Sequence, residues 1–239
     1  MSLEGRNAVV TGGTRGIGLA ITRALLEEGA CVFICARKKE EVERAIAELA
    51  QEYGERIKGD AAHVGEYEQV CSLFASSVEA FGGIDILINN AGIGTHNFVE
   101  QMTVEEWKAT IDTNLSGLFY CCHEALPLMK ARGGGYIINI GSLAGKEAFA
   151  GGSAYCASKF GLVGFSEALM QEVRYDQIRV SYIMPGSVNT SFGRSLQQDS
   201  SATWKLLPED VAEMVVHLLE SHPRALSSRV ELRPSTPKK

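Results

Sequence analysis

The stretch AVVTGGTRGIGLAITRALLEE, residues 8–28, carries a decisive change of pattern. It begins as a short apolar run, Ala8–Thr11, turns through a glycine-rich loop and continues as a helical pattern over Leu19–Glu28. Glycine in a strand-to-helix turn lets the main chain approach a pyrophosphate. The helix N-terminus adds free N–H donors and a partial positive charge. Gly12, Gly16 and Gly18 would form that cradle, with Thr14, Arg15 and Ile17 between them. The spacing G-x-x-x-G-x-G is not the familiar G-x-G-x-x-G of dinucleotide folds. Its place after the first strand of a βαβ unit still favours a dinucleotide over a turn that serves packing alone.

The same alternation runs to the end of the chain. Strands are expected at Ala8–Thr11, Cys31–Cys35, Arg56–Lys58, Ile84–Asn89, Tyr136–Ile140, Arg179–Met184 and Arg229–Leu232. Several are continuously apolar, as strands covered on both faces should be. Between the second and third, Val42, Ala45, Ile46, Leu49, Ala50 and Tyr53 recur at helical steps opposite a charged face. Repeated β-α units imply right-handed crossovers and a parallel sheet. The expectation is one α/β domain over residues 1–239, a Rossmann-type doubly wound fold. Its sheet would be seven-stranded and mostly parallel, with helices on both faces.

Composition narrows the class further. The chain has 239 residues, 45% hydrophobic and 22% charged, which excludes a disordered or fibrous protein. Its net charge of −6 argues against a nucleic-acid partner. Glycine is abundant, 25 residues against a usual ~7%. The start, MSLEGRNAVV, lacks the apolar stretch of a secretory leader, and no segment approaches the roughly 18 uncharged apolar residues of a membrane span. A cytoplasmic protein without membrane association is expected. The six cysteines make no C-x-x-C pair, and Cys121-Cys122-His123 would point in different directions on a helix, so no metal is expected.

The second strand ends in Ala36-Arg37-Lys38-Lys39, with no acid before Glu40. An NAD site normally has an acid there for the ribose hydroxyls. Arg37, with Arg15 from the glycine loop, suits a 2′-phosphate instead, so NADP is preferred to NAD.

Tyr155 and Lys159, four apart in SAYCASKFGLVGF, share one helical face. Ser142 lies just past the strand YIINI, at the end of the sheet where α/β folds bind ligands. Asn114 falls in a helical pattern, and Asn89-Asn90-Ala91-Gly92 closes the fourth strand. With the glycine loop, Asp60 after the third strand, and Pro185-Gly186 with Thr190, these motifs resemble the short-chain dehydrogenase/reductase family in order and spacing over nearly the whole chain.

That resemblance implies a nicotinamide-dependent carbonyl/alcohol oxidoreductase with Asn114, Ser142, Tyr155 and Lys159 as its catalytic set. Tyr155 would be acid and base, its pKa lowered by Lys159 together with the oxidised nicotinamide. Ser142 would stabilise the substrate oxygen, Asn114 hold a relay water, and Lys159 also grip the nicotinamide ribose. Asp60 and Ala61 would lie at the adenine, and Asn90, Gly92, Pro185, Gly186, Val188 and Thr190 along the cofactor. A homotetramer, or a homodimer, is implied through the helices bearing Asn114 and Tyr155. Residues 191–207, with Phe192, Leu196, Trp204 and Leu207, have the composition of a substrate lid. His96 either faces the substrate mouth or sits in a surface loop. The family members most similar are 3-oxoacyl-acyl-carrier-protein reductases, which implies a carrier-bound 3-oxoacyl thioester as substrate. Arg132, Lys146 and Arg194 are the basic residues that could meet a carrier. Reduction of ketones, aldehydes, sugars or steroids is the alternative, and a non-catalytic dinucleotide sensor a more distant one. The charged ending Arg229–Lys239 departs from the family's glycine-rich last strand.

Overall fold

The computed structural model describes residues 3–190, 192 and 202–237. Seven strands form one sheet: β1 (Asn7–Thr11), β2 (Cys31–Ala36), β3 (Ile57–Ala61), β4 (Ile86–Asn89), β5 (Gly135–Ile140), β6 (Ile178–Pro185) and β7 (Arg229–Leu232). Their spatial order is β3-β2-β1-β4-β5-β6-β7, and every neighbouring pair is parallel. The helices are α1 (Gly16–Glu27), α2 (Lys39–Tyr53), α3 (Tyr67–Phe81), α4 (Val104–Ile111), α5 (Gly117–Ala131), α6 (Ser153–Val173) and α7 (Pro208–Glu220).

The period-2 pleat divides the apolar strands between two cores. Ala8, Val10, Val32, Ile34, Ile86 and Ile88 meet Leu25 and Leu26 of α1, Leu49 of α2 and Val215 of α7. Val9, Phe33, Cys35 and Leu87 face the other way, against Phe74 of α3, Cys121, Cys122 and Met129 of α5, and Leu169 of α6. Both faces are covered, which is why these strands read as continuous apolar runs. Cys121 and Cys122 are buried free thiols whose pKa values burial pushes up, that of Cys122 to about 12.

The third strand corrects the expectation of Arg56–Lys58. It runs on through Gly59, Asp60 and Ala61, pairing Ile34 with Gly59, Cys35 with Asp60 and Ala36 with Ala61. A Cβ added at Gly59 would lie 2.3 Å from the Ile34 carbonyl oxygen, so only glycine fits against β2 there. Asp60 is therefore inside the strand rather than after it.

The amino end of the sheet is fixed by one buried carboxylate. Asp85, 3% exposed, accepts two hydrogen bonds from Arg132 at 2.9 and 3.1 Å, one from Arg6 at 3.3 Å and one from the Asn7 backbone N–H at 2.9 Å. Arg132 is thus engaged with Asp85 at the amino end of the sheet. Among the described residues no helix is long and apolar enough to cross a membrane. Removing the Asp85 carboxylate leaves the Asn7 N–H unpaired and two guanidinium groups without their anion. Asp85→Ala is expected to lower stability by about 3 kcal/mol, read as a shift of the urea midpoint; a change within experimental error would show that water replaces the carboxylate.

Candidate active site

β1 and β4 are neighbours whose connections leave in opposite directions, so a crevice opens at their carboxyl ends. The backbone there is tied by two side chains. Thr11 Oγ1 accepts from the N–H groups of Asn90 and Ala91, both at 3.0 Å. The Asn90 amide donates to the carbonyl oxygens of Thr11 and Gly12 at 2.9 and 3.1 Å. Gly12, at φ +66°, needs glycine for its conformation, and Gly18 needs it for space: an added Cβ would lie 2.1 Å from the Gly12 oxygen. Gly16 also has positive φ and faces Thr190, whose Cγ2 would be 3.4 Å from an added Cβ.

A cleft of roughly 670 Å³ runs from this loop across the sheet edge, within the usual range for small-molecule sites. Gly12, Thr14, Arg15, Gly16, Ile17 and Gly18 line one part, with Arg37 beyond them. Asn90, Gly92, Pro185, Gly186, Val188 and Thr190 line the middle, and Ser142, Tyr155 and Lys159 the far part. Asp60 and Ala61 do not line it; both are exposed on β3, and Ala62, His63 and Val64 form the wall at that end. His63 and Val64 were missed because the sequence gives β3 no visible end. His63 folds back as a turn, its Nδ1 accepting the Gly65 N–H at 3.0 Å.

Lys38 and Lys39 pair with Glu41 and Glu43 of α2 at 3.3 and 3.7 Å. Arg15 and Arg37 are exposed and, among the described residues, have no carboxylate partner. The glycine cradle and these two cations fit a dinucleotide bearing an extra phosphate.

At the other end, α6 sets Tyr155 and Lys159 on one face, one turn apart. Lys159 is buried, and its Nζ donates to the Ile140 carbonyl oxygen at 3.0 Å, at the end of β5. Burial lowers its pKa to about 8. Nζ also lies 5.8 Å from the centre of the Tyr155 ring. Burial raises the Tyr155 pKa, and the hydrogen bond with Ser142 works against that rise. Among the protein's own groups, desolvation is the largest effect on the phenol. Ser142 is held by the Ala144 N–H, which donates to its Oγ at 3.1 Å.

Asn114 is outside the main cleft, one layer behind it. A single π-helical turn, Asp112–Ser116, joins α4 to α5 and turns its side chain inward. Its amide donates to the Ile93 carbonyl at 2.9 Å and to Ser158 Oγ at 3.1 Å, and its Oδ1 accepts the Ile93 N–H at 2.8 Å. Asn114 thereby clamps the segment after β4 to α6. His96 is in the cleft wall rather than a surface loop, its ring 5.9 Å from that of Tyr155. Of the segment 191–207, Phe192 and Lys205 line the cleft, and Leu206 pairs beside Val188. Leu196 and Arg194 lie outside the described residues.

The profile of the short chain dehydrogenase family matches residues 6–201. The chain is 32% identical over 237 residues to a 3-oxoacyl-acyl-carrier-protein reductase of Chlamydia muridarum, covering 95% of each. It is 35% identical over 199 residues to a 3α-hydroxysteroid dehydrogenase of Mediterraneibacter gnavus, covering 83% of this chain and 80% of that one. An alcohol dehydrogenase of the archaeon Thermococcus sibiricus, solved with 5-hydroxy-NADP, superposes with a TM-score of 0.90 at 28% identity over 98% of this chain and 99% of that one. Family profile, relatives near the 3-oxoacyl reductases and sheet topology agree, and the chain belongs to the short-chain dehydrogenase/reductase family, as an oxidoreductase of the CH–OH/C=O couple.

Proposed function

We propose that the chain is an NADP-linked reductase that interconverts a carbonyl and an alcohol, with Tyr155 as the acid and base. The observation that carries this reading is the grouping of Ser142, Tyr155 and Lys159 at one end of a cleft whose other end is the glycine cradle. NADP in preference to NAD is supported by the guanidinium groups of Arg15 and Arg37, which have no carboxylate partner among the described residues, and the Thermococcus relative was solved with an NADP derivative.

When bound, the nicotinamide gives hydride to the carbonyl carbon or takes it from the alcohol. Negative charge then grows on the substrate oxygen. The Ser142 hydroxyl, which lines the cleft with Tyr155, donates its one proton to that oxygen and stabilises the charge. Tyr155 delivers the proton. The Lys159 ammonium, 5.8 Å from the ring centre, favours the phenolate left behind and so acts against the desolvation that holds the proton on. Asn114 acts as a positioning residue. A Cβ added at Gly92 would lie 3.3 Å from Asn114 Oδ1 and 3.9 Å from Lys159 Nζ, so Gly92 keeps room for a water to return the proton to Lys159.

A 3-oxoacyl thioester is the first substrate class, supported by likeness to the Chlamydia reductase. A ketone or steroid is the second, supported by likeness to the hydroxysteroid dehydrogenase. Trp107, Phe119 and Phe160 on α4, α5 and α6 leave more than two-fifths of their surface exposed, which supports assembly as a homotetramer or homodimer through these helices.

In a panel containing a 3-oxoacyl thioester and simple ketones, NADPH absorbance is expected to fall with wild type. Tyr155→Phe should slow this by about 10²–10⁴-fold while NADPH still binds; unchanged turnover would remove Tyr155 from the proton step. Arg37→Asp should raise the KM for NADPH by about 10–100-fold and spare NADH. Equal losses with both cofactors would show that Arg37 does not meet the phosphate.

Lys159 also sets a pH dependence of stability. Its folded pKa of about 8 lies below the unfolded value of 10.5, so below pH 8 the buried charge costs about 3 kcal/mol. Between pH 8 and 10.5 the unfolded chain binds the extra proton, and that cost disappears. Wild type should therefore gain about 3 kcal/mol relative to Lys159→Met across this window, measured by urea unfolding without cofactor. A pH-independent difference would mean that the ammonium is hydrated in the fold.

A further inference from the structure

The rings around Tyr155 form a continuous aromatic wall. His96 stacks on Phe149 with centroids 5.5 Å apart and planes 26° from parallel, and it also lies 5.9 Å from Tyr155. Phe192 is 6.0 Å from the Tyr155 ring. All four line the cleft, and the two phenylalanines are 44% and 46% exposed, unusual for such side chains beside a proton donor.

This wall is seated on glycines. A Cβ at Gly152 would lie 2.5 Å from the Phe149 ring, and one at Gly94 would lie 2.7 Å from the Phe192 ring. Each ring thus occupies space that any other residue would fill. The two segments that carry His96 and Phe149 are joined by the Asn97 N–H, which donates to the Gly151 oxygen at 2.8 Å. The loop bearing Phe149 is also tied to the end of the chain. Lys146 pairs with Glu231 at 2.8 Å, and Arg233 bridges Glu231 and Glu147 at 3.2 and 2.6 Å. The His96–Phe149 part of the wall is therefore assembled before substrate arrives, which lowers the entropy lost on binding.

A flexible acyl chain against this wall would gain only the burial of its methylenes. A flat π-system would also gain offset or edge-on ring contacts. We propose that the site selects ketones whose carbonyl carbon carries an aryl ring, and the corresponding benzylic alcohols, with His96, Phe149 and Phe192 as the selecting residues. This rests on the carbonyl-reductase reading and names its substrate class.

The test compares acetophenone with cyclohexyl methyl ketone, which has the same carbon skeleton but a saturated, puckered ring. Wild type with NADPH is expected to favour acetophenone by about tenfold in kcat/KM, from ring contacts with several aromatics. Phe149→Leu, which keeps an apolar side chain and removes the ring, should reduce that ratio to about threefold or less, and His96→Leu should act in the same direction. Equal kcat/KM for the two ketones in wild type, or a ratio that survives Phe149→Leu, would overturn the proposal. Binding is measured in parallel as the thermal shift each ketone gives to the NADP⁺ complex. If neither ketone nor a 3-oxobutanoyl thioester is reduced, the reaction reading fails; a larger shift with acetophenone that Phe149→Leu abolishes then still supports the wall, and equal shifts overturn it.

Discussion

Two parallel strands that diverge at their carboxyl ends leave backbone donors and acceptors with no partner in the ladder. Between β1 and β4 those groups are satisfied by Thr11 and Asn90, a hydroxyl that accepts two N–H groups and an amide that donates to two carbonyls. Unpaired, each would cost on the order of 1–3 kcal/mol in a site partly shielded from water. The same bonds fix the height of the glycine loop over the sheet, because Asn90 holds the Gly12 carbonyl, and Gly18 can approach that carbonyl only without a Cβ. The segment leaving β4 is then caught at Ile93 by Asn114. The glycine loop, the segment bearing His96 and the helix bearing Tyr155 are all positioned relative to this one junction.

Against that rigid frame, Lys159 is an energetic liability. A buried ammonium with one neutral carbonyl partner is poorly stabilised, as its lowered pKa shows. In the mechanism we propose, a cation beneath Tyr155 matters when the phenol gives up its proton. Tyr155 itself is biased by desolvation to keep that proton. On that proposal the two opposed shifts belong to a proton donor and a cation that meets negative charge nearby, an arrangement in which a site uses stability for chemistry.

How much of this the sequence showed depends on whether the signal was periodic. Runs such as Ala8–Thr11 and Tyr136–Ile140 declare themselves, because burial on both faces excludes polar residues. Tyr155 and Lys159 were legible for a similar reason, a helical interval inside a strongly helical stretch. β3 was cut short because Gly59 and Asp60 have poor strand propensity, and only pairing with β2 carries them into the sheet. With β3 extended, the wall at that end of the cleft falls on His63 and Val64 and not on Asp60 and Ala61. The inward turn of Asn114 was also illegible: one π-helical turn leaves the apolar pattern of its neighbours unchanged. His96 gave no periodic signal at all, since its place depends on a loop closing over Gly151.

The ending of the chain shows how a local departure can reach the site. β7 is short and followed by Arg233-Pro234, not by a glycine-rich turn. Pro234 packs near Gly186, while Glu231 and Arg233 reach the loop after Ser142. A single exposed pair of this kind contributes little, about 0–1 kcal/mol. Four charges linking two segments act differently, because each pair formed reduces the freedom lost in forming the next. The Lys146 and Arg233 bonds hold the Glu231 carboxyl below the usual carboxylate range. The last strand therefore restrains the loop that carries Phe149, and the residues that set the wall around Tyr155 include some that never touch it.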